Sequence, residues 1–294
     1  MIWANSNQCS RYLSRLAVQA LIEEAELTPK PGLVDRETNG AHTDLTFDMM
    51  ICSARALQTT FARIAYTTFQ QRPSQQLREK IAEIGRWGER KMLEATGGVN
   101  THKGAIWALG LLVAGAAMNR PGALPEEIAV TAGQLASYPD RYAPRKMSNG
   151  LKVQQRYGVS GARGEAQQGF PHVVHIALPA LYSARKNGAT ETLARIDVLV
   201  ALIAHLDDTC ILHRGGIEAL TIAKQLARDI RSVGGVSTAQ GWSKLLQLDQ
   251  ALLAHNASPG GSADLLAATL FLDRLHRETS CQSGSCFTVI TSAN

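Results

Sequence analysis

Apolar residues recur three and four positions apart along most of this chain, which is the spacing of an amphipathic α-helix. In residues 12–27, for example, Leu13, Leu16 and Leu21 would lie on one face of a helix. No stretch that alternates apolar and polar residues reaches the length of a strand, with the exception of residues 287–291. The sequence therefore predicts an all-α fold.

About ten helices are predicted from this pattern, and no linker rich in Pro, Gly or Ser divides them into groups. Their approximate bounds are residues 12–27, 44–69, 74–93, 105–118, 125–137, 173–186, 191–206, 216–233, 237–255 and 263–277. With 45% hydrophobic residues the chain can bury a large core. We expect a single compact multi-helix domain over residues 1–278, whose loops converge on one pocket, and a C-terminal tail over residues 279–294.

Charge and composition disfavour several functional classes. The net charge of +5 is spread without a Lys/Arg block, which disfavours a duplex nucleic-acid surface, and 5% aromatic residues are few for a single-strand stacking platform. The longest apolar run, residues 105–118, is shorter than the roughly 20 residues of a membrane span, and no secretory signal pattern precedes it. We expect a cytoplasmic protein that acts on a small polyanionic substrate, without nucleic-acid or membrane partners.

The sharpest break in the helical pattern is residues 24–45, where polar residues and turn formers crowd together. Pro29 and Pro31 favour extended backbone and Gly32 permits a tight turn, so the segment should be an ordered loop. A rigid loop presents charged side chains with little entropy cost on binding. A Pro-stiffened connector with solvated charges is the alternative, and this segment alone does not decide between the two.

Glycine and charge are combined at five breaks between predicted helices. These breaks lie at residues 28–36, 97–104, 160–165, 205–216 and 258–264. Glycine lets a ligand approach the backbone, and a helix N-terminus offers free N–H groups that suit phosphate. We therefore assign phosphate binding to the cations of these breaks, which are Lys30, Arg36, Lys103, Arg163 and Arg214.

Aspartates at helix ends are candidate magnesium ligands, because Mg²⁺ prefers carboxylate oxygens and bridges phosphate groups. Asp207 and Asp208 end a predicted helix, where a negative charge without a partner is unfavourable, and this indicates function. Asp264 follows a Pro-Gly-Gly-Ser start, so ordinary helix capping weighs as much as metal binding there. His172 and His175 share a helix face without a third ligand, and we interpret them as packing and interface residues.

Taken in order, the five breaks resemble the triphosphoribosyl-dephospho-CoA synthase family, over about residues 21–275. The matching motifs are TPKPGLVDR at residues 28–36, GVNTHKG at 98–104, GARGE at 161–165, RGG at 214–216 and SPGGSADL at 258–265. The resemblance implies an enzyme that transfers the triphosphoribosyl group of ATP to the ribose 2′-hydroxyl of 3′-dephospho-CoA and releases adenine. The product would pass to a phosphoribosyl-dephospho-CoA transferase and an acyl carrier subunit. The oligomeric state stays open, with a homodimer as one form.

The implied reaction needs three kinds of group. Cleavage of the ribose–adenine bond develops oxocarbenium character, which carboxylates stabilise, and a carboxylate must accept the proton of the attacking hydroxyl. Basic residues and Mg²⁺ would hold the triphosphate. The candidates are Asp35, Glu165 and Asp208 for catalysis, Asp208 and Asp264 for Mg²⁺, and Asn100 and His102 for substrate or phosphate binding beside the five cations.

Several alternatives stay open. The segments LDDT at residues 206–209 and GAHTDL at 40–45 look like the malonate decarboxylase branch of the family, with the citrate lyase branch as the alternative. A hydrolase of N-glycosidic bonds, in the style of the ADP-ribosyl hydrolases, would release adenine without dephospho-CoA. A non-catalytic holder would bind the CoA derivative and form no adenine.

Overall fold

The computed structural model describes residues 3–144 and 148–282, and all regular structure in these residues is helical. Thirteen α-helices are found there, with one π-helical turn at Val173–Ala177. The α-helices are α1 (Ser6–Glu26), α2 (Phe47–Ala56), α3 (Gln58–Thr68), α4 (Gln75–Ala95), α5 (Lys103–Met118), α6 (Pro125–Ser137), α7 (Asn149–Tyr157), α8 (Gly161–Gln167), α9 (Leu178–Lys186), α10 (Glu191–His205), α11 (Thr209–Ser232), α12 (Ala239–Ala254) and α13 (Gly260–Gln282). The predicted all-α fold is confirmed.

Capping side chains explain where many of the helices begin. Thr46 and Ser74 accept hydrogen bonds from the backbone N–H groups of Met49 and Leu77, so α2 and α4 start where the sequence predicts. The second predicted helix is divided at Leu57 into α2 and α3. A short polar side chain thus marks the start of each of these two helices.

Other predicted bounds are wrong for local reasons. Helix α11 begins at Thr209 because Asp208 caps it, and the predicted start at Gly216 is a kink with φ 71° and ψ −167° inside the helix. Residues 138–170, where no helix is predicted, contain α7 and α8. The π-helical turn precedes Pro179, which has no N–H group for an α-helical hydrogen bond.

The last helix, α13, is longer than predicted at both ends. It begins at Gly260 and runs to Gln282, so it enters the segment predicted to be a C-terminal tail, residues 279–294. The remainder of that tail, with the alternating pattern at residues 287–291, lies outside the described residues.

Helix α5 is at the centre of the fold. Nearly every residue from Ala105 to Ala117 is buried, and its many glycines and alanines let α1, α3, α6 and α13 pack closely around it. Because α5 begins at Lys103, the break that precedes it is held against the core. Although α5 is strongly apolar, no helix in the described part of the chain is both long and apolar enough to cross a membrane.

Candidate active site

The start of α5 is in direct contact with the start of α13. A Cβ atom on Gly104 would lie 1.9 Å from Asp264 Oδ2, so the carboxylate group of Asp264 rests against the Cα atom of Gly104. Any other residue at position 104 would displace the carboxylate or the backbone. The breaks at residues 97–104 and 258–264 therefore meet at this point.

Asp208 joins the starts of α11 and α13. Its Oδ1 atom accepts hydrogen bonds from the N–H groups of Cys210, Gly261 and Ile211 at 2.8, 3.2 and 3.4 Å. Its Oδ2 atom accepts from the N–H and hydroxyl groups of Ser262 at 2.8 and 2.9 Å. A carboxylate offers about four lone-pair sites, so those of Asp208 are all used within the fold. Burial nevertheless raises the pKa of Asp208, because these hydrogen bonds offset only part of its desolvation.

Asp264 is in the opposite situation. Among the described residues no side chain donates a hydrogen bond to its carboxylate, and the Ala105 N–H is the group near enough to lower its pKa. Burial, followed by the negative charges of Asp208 and Glu24, raises the pKa of Asp264 well above the usual range for aspartate. The residue is partly exposed, so a ligand can reach it. This carboxylate therefore favours a proton or a bound cation.

The break at residues 28–36 contributes a buried ion pair. Lys30 Nζ lies 2.6 Å from Glu24 Oε1 and donates a second hydrogen bond to the Glu24 carbonyl oxygen at 2.7 Å. Both residues are 3% exposed. Two of the three N–H groups of the Lys30 ammonium are thus used within the protein, which leaves one for a phosphate.

His102 directly precedes α5 and is 2% exposed. Its Nδ1 atom lies 2.7 Å from Ser53 Oγ, whereas its Nε2 atom is buried without a partner among the described residues. Burial, and then the charge of Lys30, lowers the pKa of His102 to about 3, so the ring is neutral at physiological pH. His102 can offer a substrate a hydrogen bond but no positive charge.

The break at residues 160–165 holds a carboxylate–imidazole pair. Glu165, which is buried, accepts hydrogen bonds from the backbone N–H of His172 at 2.9 Å and from its ring Nδ1 at 2.7 Å. The bond to Glu165 raises the pKa of His172 in spite of burial, and the His205 carbonyl also favours the charged ring. The interpretation of His172 as a packing residue misses this pair. A histidine seven positions after a motif carboxylate is the signal that could have found it.

Asp35 is used within its own loop. Its Oδ2 atom accepts a hydrogen bond from the Lys30 N–H at 3.0 Å, and its Oδ1 atom accepts from the N–H groups of Glu37 and Thr38 at 2.8 and 2.9 Å. These bonds stiffen the loop that carries Lys30. The catalytic role predicted for Asp35 stays a prediction.

Two of the predicted phosphate-binding cations lie at the surface in ion pairs. Arg36 pairs with Glu26 at 2.6 Å and Lys103 with Glu89 at 2.9 Å, and about half of each cationic side chain is exposed. Exposed ion pairs are weak, so both cations can exchange their partner for a phosphate. Asn100 accepts a hydrogen bond from the Lys103 N–H at 3.2 Å and thereby supports the start of α5.

Arg214 and Arg163 differ in how far their guanidinium groups are used. Arg214 donates to the carbonyl and side-chain oxygens of Asn256 at 2.9 and 3.0 Å, to the Ala41 carbonyl, and to His42 Nδ1 at 3.1 Å. Arg163 is exposed and forms no ion pair with a described residue. Arg214 thus ties two loops together, whereas Arg163 has its donors available.

We call the group formed by Glu24, Lys30, His102, Asp208 and Asp264 the acidic centre. The surface has two prominent clefts, one of about 610 Å³ at the start of α4 and one of about 400 Å³ beside residues 35–39. No residue of the acidic centre lines either cleft. No group of three or more metal-ligating side chains is found among residues 3–144 and 148–282. Four of the five breaks contribute residues to the acidic centre, at 28–36, 97–104, 205–216 and 258–264. The Glu165–His172 pair of the remaining break lies beside the His205 carbonyl, at the end of α10.

Comparisons with known proteins show which family the chain resembles. The family model described as CitG, ATP:dephospho-CoA triphosphoribosyl transferase, matches residues 10–283. The "2-(5''-triphosphoribosyl)-3'-dephosphocoenzyme-A synthase" of Klebsiella pneumoniae is 49% identical over 264 residues, which cover 90% of this chain and 94% of that protein. A protein of Pseudomonas syringae pv. syringae called "Probable 2-(5''-triphosphoribosyl)-3'-dephosphocoenzyme-A synthase" is 52% identical over 264 residues, covering 90% and 91%.

The fold is also similar to a solved structure. The crystal structure of a "putative triphosphoribosyl-dephospho-coA synthase" from Archaeoglobus fulgidus superposes with a TM-score of 0.53, over 76% of this chain and 97% of that one. At 16% sequence identity this likeness concerns the fold alone.

Proposed function

Because the chain belongs to the ATP:dephospho-CoA triphosphoribosyl transferase family, we propose that it transfers the triphosphoribosyl group of ATP to the ribose 2′-hydroxyl of 3′-dephospho-CoA. It is a transferase of the triphosphoribosyl-dephospho-CoA synthase class. In the reaction the bond between the ATP ribose and adenine breaks, and a bond from that ribose carbon to the attacking oxygen forms. The hydroxyl loses one proton and adenine gains one.

The observation that carries this proposal is the unsatisfied carboxylate of Asp264, which rests on Gly104 where the glycine-bearing loops meet. Departure of adenine leaves positive charge on the ribose, and carboxylates stabilise such charge. Glu24 and Asp208 add their negative charge around Asp264. When Asp264 is ionised, these carboxylates favour the charged transition state over the neutral ribose of the bound substrate, which is the condition for catalysis.

Of the two predicted magnesium ligands, Asp264 is better suited to hold the ion than Asp208. Asp264 has free lone pairs, and two nearby carboxylates repel its charge, so a divalent cation would relieve the repulsion. Asp208 uses its lone pairs in five hydrogen bonds, and we assign it the positioning of α11 and α13. Asp264 would hold the Mg²⁺, which would supply positive charge for the triphosphate of the substrate.

We assign proton transfer to Glu165 and His172. Adenine leaves more readily when it is protonated or hydrogen-bonded. Because Glu165 accepts a hydrogen bond from its ring, the pKa of His172 is raised, and the charged ring has a proton that it can donate to adenine. The neutral ring of His102, with its unpartnered Nε2 atom, would form a hydrogen bond to the substrate.

The product would serve malonate decarboxylase, through a phosphoribosyl-dephospho-CoA transferase and an acyl carrier subunit. The support is in the sequence, in LDDT at residues 206–209 and GAHTDL at 40–45. Genes for malonate decarboxylase subunits next to the gene for this chain would agree with this assignment. Citrate lyase genes in that position would contradict it.

Adenine release tests the proposed reaction. Purified full-length protein is incubated with ATP and Mg²⁺, with and without 3′-dephospho-CoA, and adenine is measured by chromatography. A synthase forms adenine in equal amount with the transferred product, and only when dephospho-CoA is present. Adenine without the acceptor would indicate an N-glycosidase, and dephospho-CoA binding without adenine would indicate a holder, so either result contradicts the proposal. Chelation of Mg²⁺ by EDTA should stop adenine release.

A further inference from the structure

Arg78 carries a buried charge for which the reaction scheme has no role. It lies on the core-facing side of α4 and is 6% exposed. Its Nε atom is buried without a hydrogen-bond partner among the described residues. Burial lowers the pKa of Arg78, although the charge of Asp140 opposes the effect. Since a buried cation without hydrogen-bonded partners is unfavourable, some group absent from the chain itself should complete its surroundings.

Trp107 and Arg163 lie next to Arg78. The Cζ atom of Arg78 lies 4.9 Å from the centre of the Trp107 ring. On the same indole, Nε1 donates a hydrogen bond to the Ala162 carbonyl at 3.1 Å, which places the following residue, Arg163, beside the ring. After burial and Asp140, the charge of Arg163 is the next influence on the pKa of Arg78. The charge of Arg163 is therefore near enough to act on that of Arg78, beside the second turn of α5.

The nearby acids do not neutralise these two arginines. Asp140 lies 2.5 Å from Arg86, and Glu79 lies 2.5 Å from Arg141, so each acid already has a cation of its own. Stacking on an indole compensates only a small part of the cost of burying a guanidinium group. This side of α5 therefore has an excess of positive charge.

We propose that Arg78 and Arg163 form a phosphate-binding subsite, with Trp107 holding Arg78 in place. Guanidinium groups bind pairs of phosphate oxygens through two parallel hydrogen bonds. Trp107 lies one turn beyond Gly104, about 5 Å along the axis of α5. A phosphate at this subsite is thus within reach of a substrate whose sugar lies at Asp264. The identity of that phosphate rests on the proposed function, and it belongs to the triphosphate of ATP or to the diphosphate of dephospho-CoA.

A binding measurement that needs no turnover tests the subsite. Full-length protein is titrated with sodium tripolyphosphate by calorimetry. Because a charge-assisted hydrogen bond pair is lost, Arg163→Ala should bind tripolyphosphate about tenfold to a hundredfold more weakly than the wild type. The matched control is Arg228→Ala, an exposed arginine on α11 about five turns beyond Asp208, which should bind as the wild type does. Equal affinity in the wild type and in Arg163→Ala would overturn the proposal.

Steady-state kinetics of the same variants identify the source of the phosphate. Arg163→Ala should raise KM about tenfold or more for one of the two substrates and change kcat less than about threefold. The substrate whose KM rises is the one that the subsite holds. If the wild type forms no adenine, yet Arg163→Ala still loses tripolyphosphate affinity, the proposed reaction fails and the subsite stands. If adenine forms and neither KM changes, the subsite is wrong.

Arg78→Met distinguishes binding from a structural role. Methionine fills similar space without a charge, so the unfolding temperature without ligand should be unchanged or higher, and the tripolyphosphate-induced increase in that temperature should be lost. An unfolding temperature lower by more than about 5 °C with wild-type tripolyphosphate affinity would mean that Arg78 only supports the fold, which overturns the proposal. Should this variant not fold, Arg163→Ala decides, because Arg163 is exposed.

Discussion

The loop junction at Arg214 and the acidic centre are built from the same breaks in the helical pattern, but they use their polar atoms differently. At the junction, Arg214 donates to Asn256, Ala41 and His42, and His42 Nε2 lies 3.0 Å from Ser258 Oγ. Burial and the charge of Arg214 lower the pKa of His42, so its neutral ring accepts from Arg214 and donates to Ser258. Every group in this junction has a partner.

At the acidic centre, by contrast, several groups lack partners. Asp264 receives no hydrogen bond from a described side chain, and the Nε2 atom of His102 is buried alone. A protein leaves buried polar groups unsatisfied where a ligand will complete them, and satisfies them where the fold itself needs the bonds. The polar residues of these loops therefore form two groups, one that holds the fold together and one that holds the substrate.

The largest expected effect is that of Asp264→Asn on activity. Removal of this charge should lower kcat for adenine release about 1,000-fold, as the loss of a principal electrostatic group does. Because Asp208 and Glu24 no longer face a third carboxylate, the free energy of unfolding should be unchanged or higher. Rate assays and urea denaturation of the same preparation measure both. A variant that is less stable and fully active would place Asp264 with the residues that hold the fold together.

The next effect is expected at Asp208, and on stability. Asp208→Ala removes the acceptor of five hydrogen bonds and the cap shared by α11 and α13, so the free energy of unfolding should fall by about 3 kcal/mol. Asp208→Asn keeps one accepting oxygen and should lose about half as much. Urea denaturation with an unchanged m-value tests this ordering. If Asp208→Asn were as stable as the wild type, a direct role for the charge, such as metal binding, would be favoured instead.

Arg214 is predicted from the sequence to bind phosphate, whereas its contacts in the structure tie two loops together. Arg214→Gln should lower the free energy of unfolding by about 2 kcal/mol, because hydrogen bonds from a charged donor are lost. The KM values for ATP and dephospho-CoA should change less than about threefold once the variant is assayed below its unfolding temperature. A tenfold rise in either KM without loss of stability would restore the phosphate-binding role.

The sequence predicts the all-α fold because the apolar period is local and α5 is apolar on all sides. It misplaces a bound where one residue overrides the period, as Asp208 does by capping α11 at Thr209. It also locates the breaks that meet at the acidic centre, because glycine beside charge is visible without a structure.

The sequence does not indicate which charges are already used. Asp208 and Asp264 have the same side chain and similar helix-end positions, but only the contacts of Gly261 and Ser262 distinguish a satisfied acid from a free one. Arg78 carries no motif at all, because its importance depends on burial beside Trp107, 29 positions away in the chain. Whether a charged group has a partner depends on packing between residues far apart in the chain. Its neighbours in the sequence do not indicate this.

The smallest expected effect concerns the Glu165–His172 pair. Its hydrogen bonds are formed within the fold, as at the Arg214 junction, but it also carries a proton that it can transfer to a substrate. The pKa of His172 is raised above its ordinary value, so the pair stabilises the fold fully below about pH 6.5 and loses this contribution as pH rises through the folded pKa. Between pH 6 and pH 9 the wild type should lose about 1 kcal/mol more unfolding free energy than His172→Gln. Urea denaturation at the two pH values measures this difference, with His175→Gln, an exposed histidine of the same π-helical turn, as the control that should follow the wild type. Equal pH dependence in the wild type and in His172→Gln would show that the ring is not charged in the folded protein and would remove its assignment as proton donor.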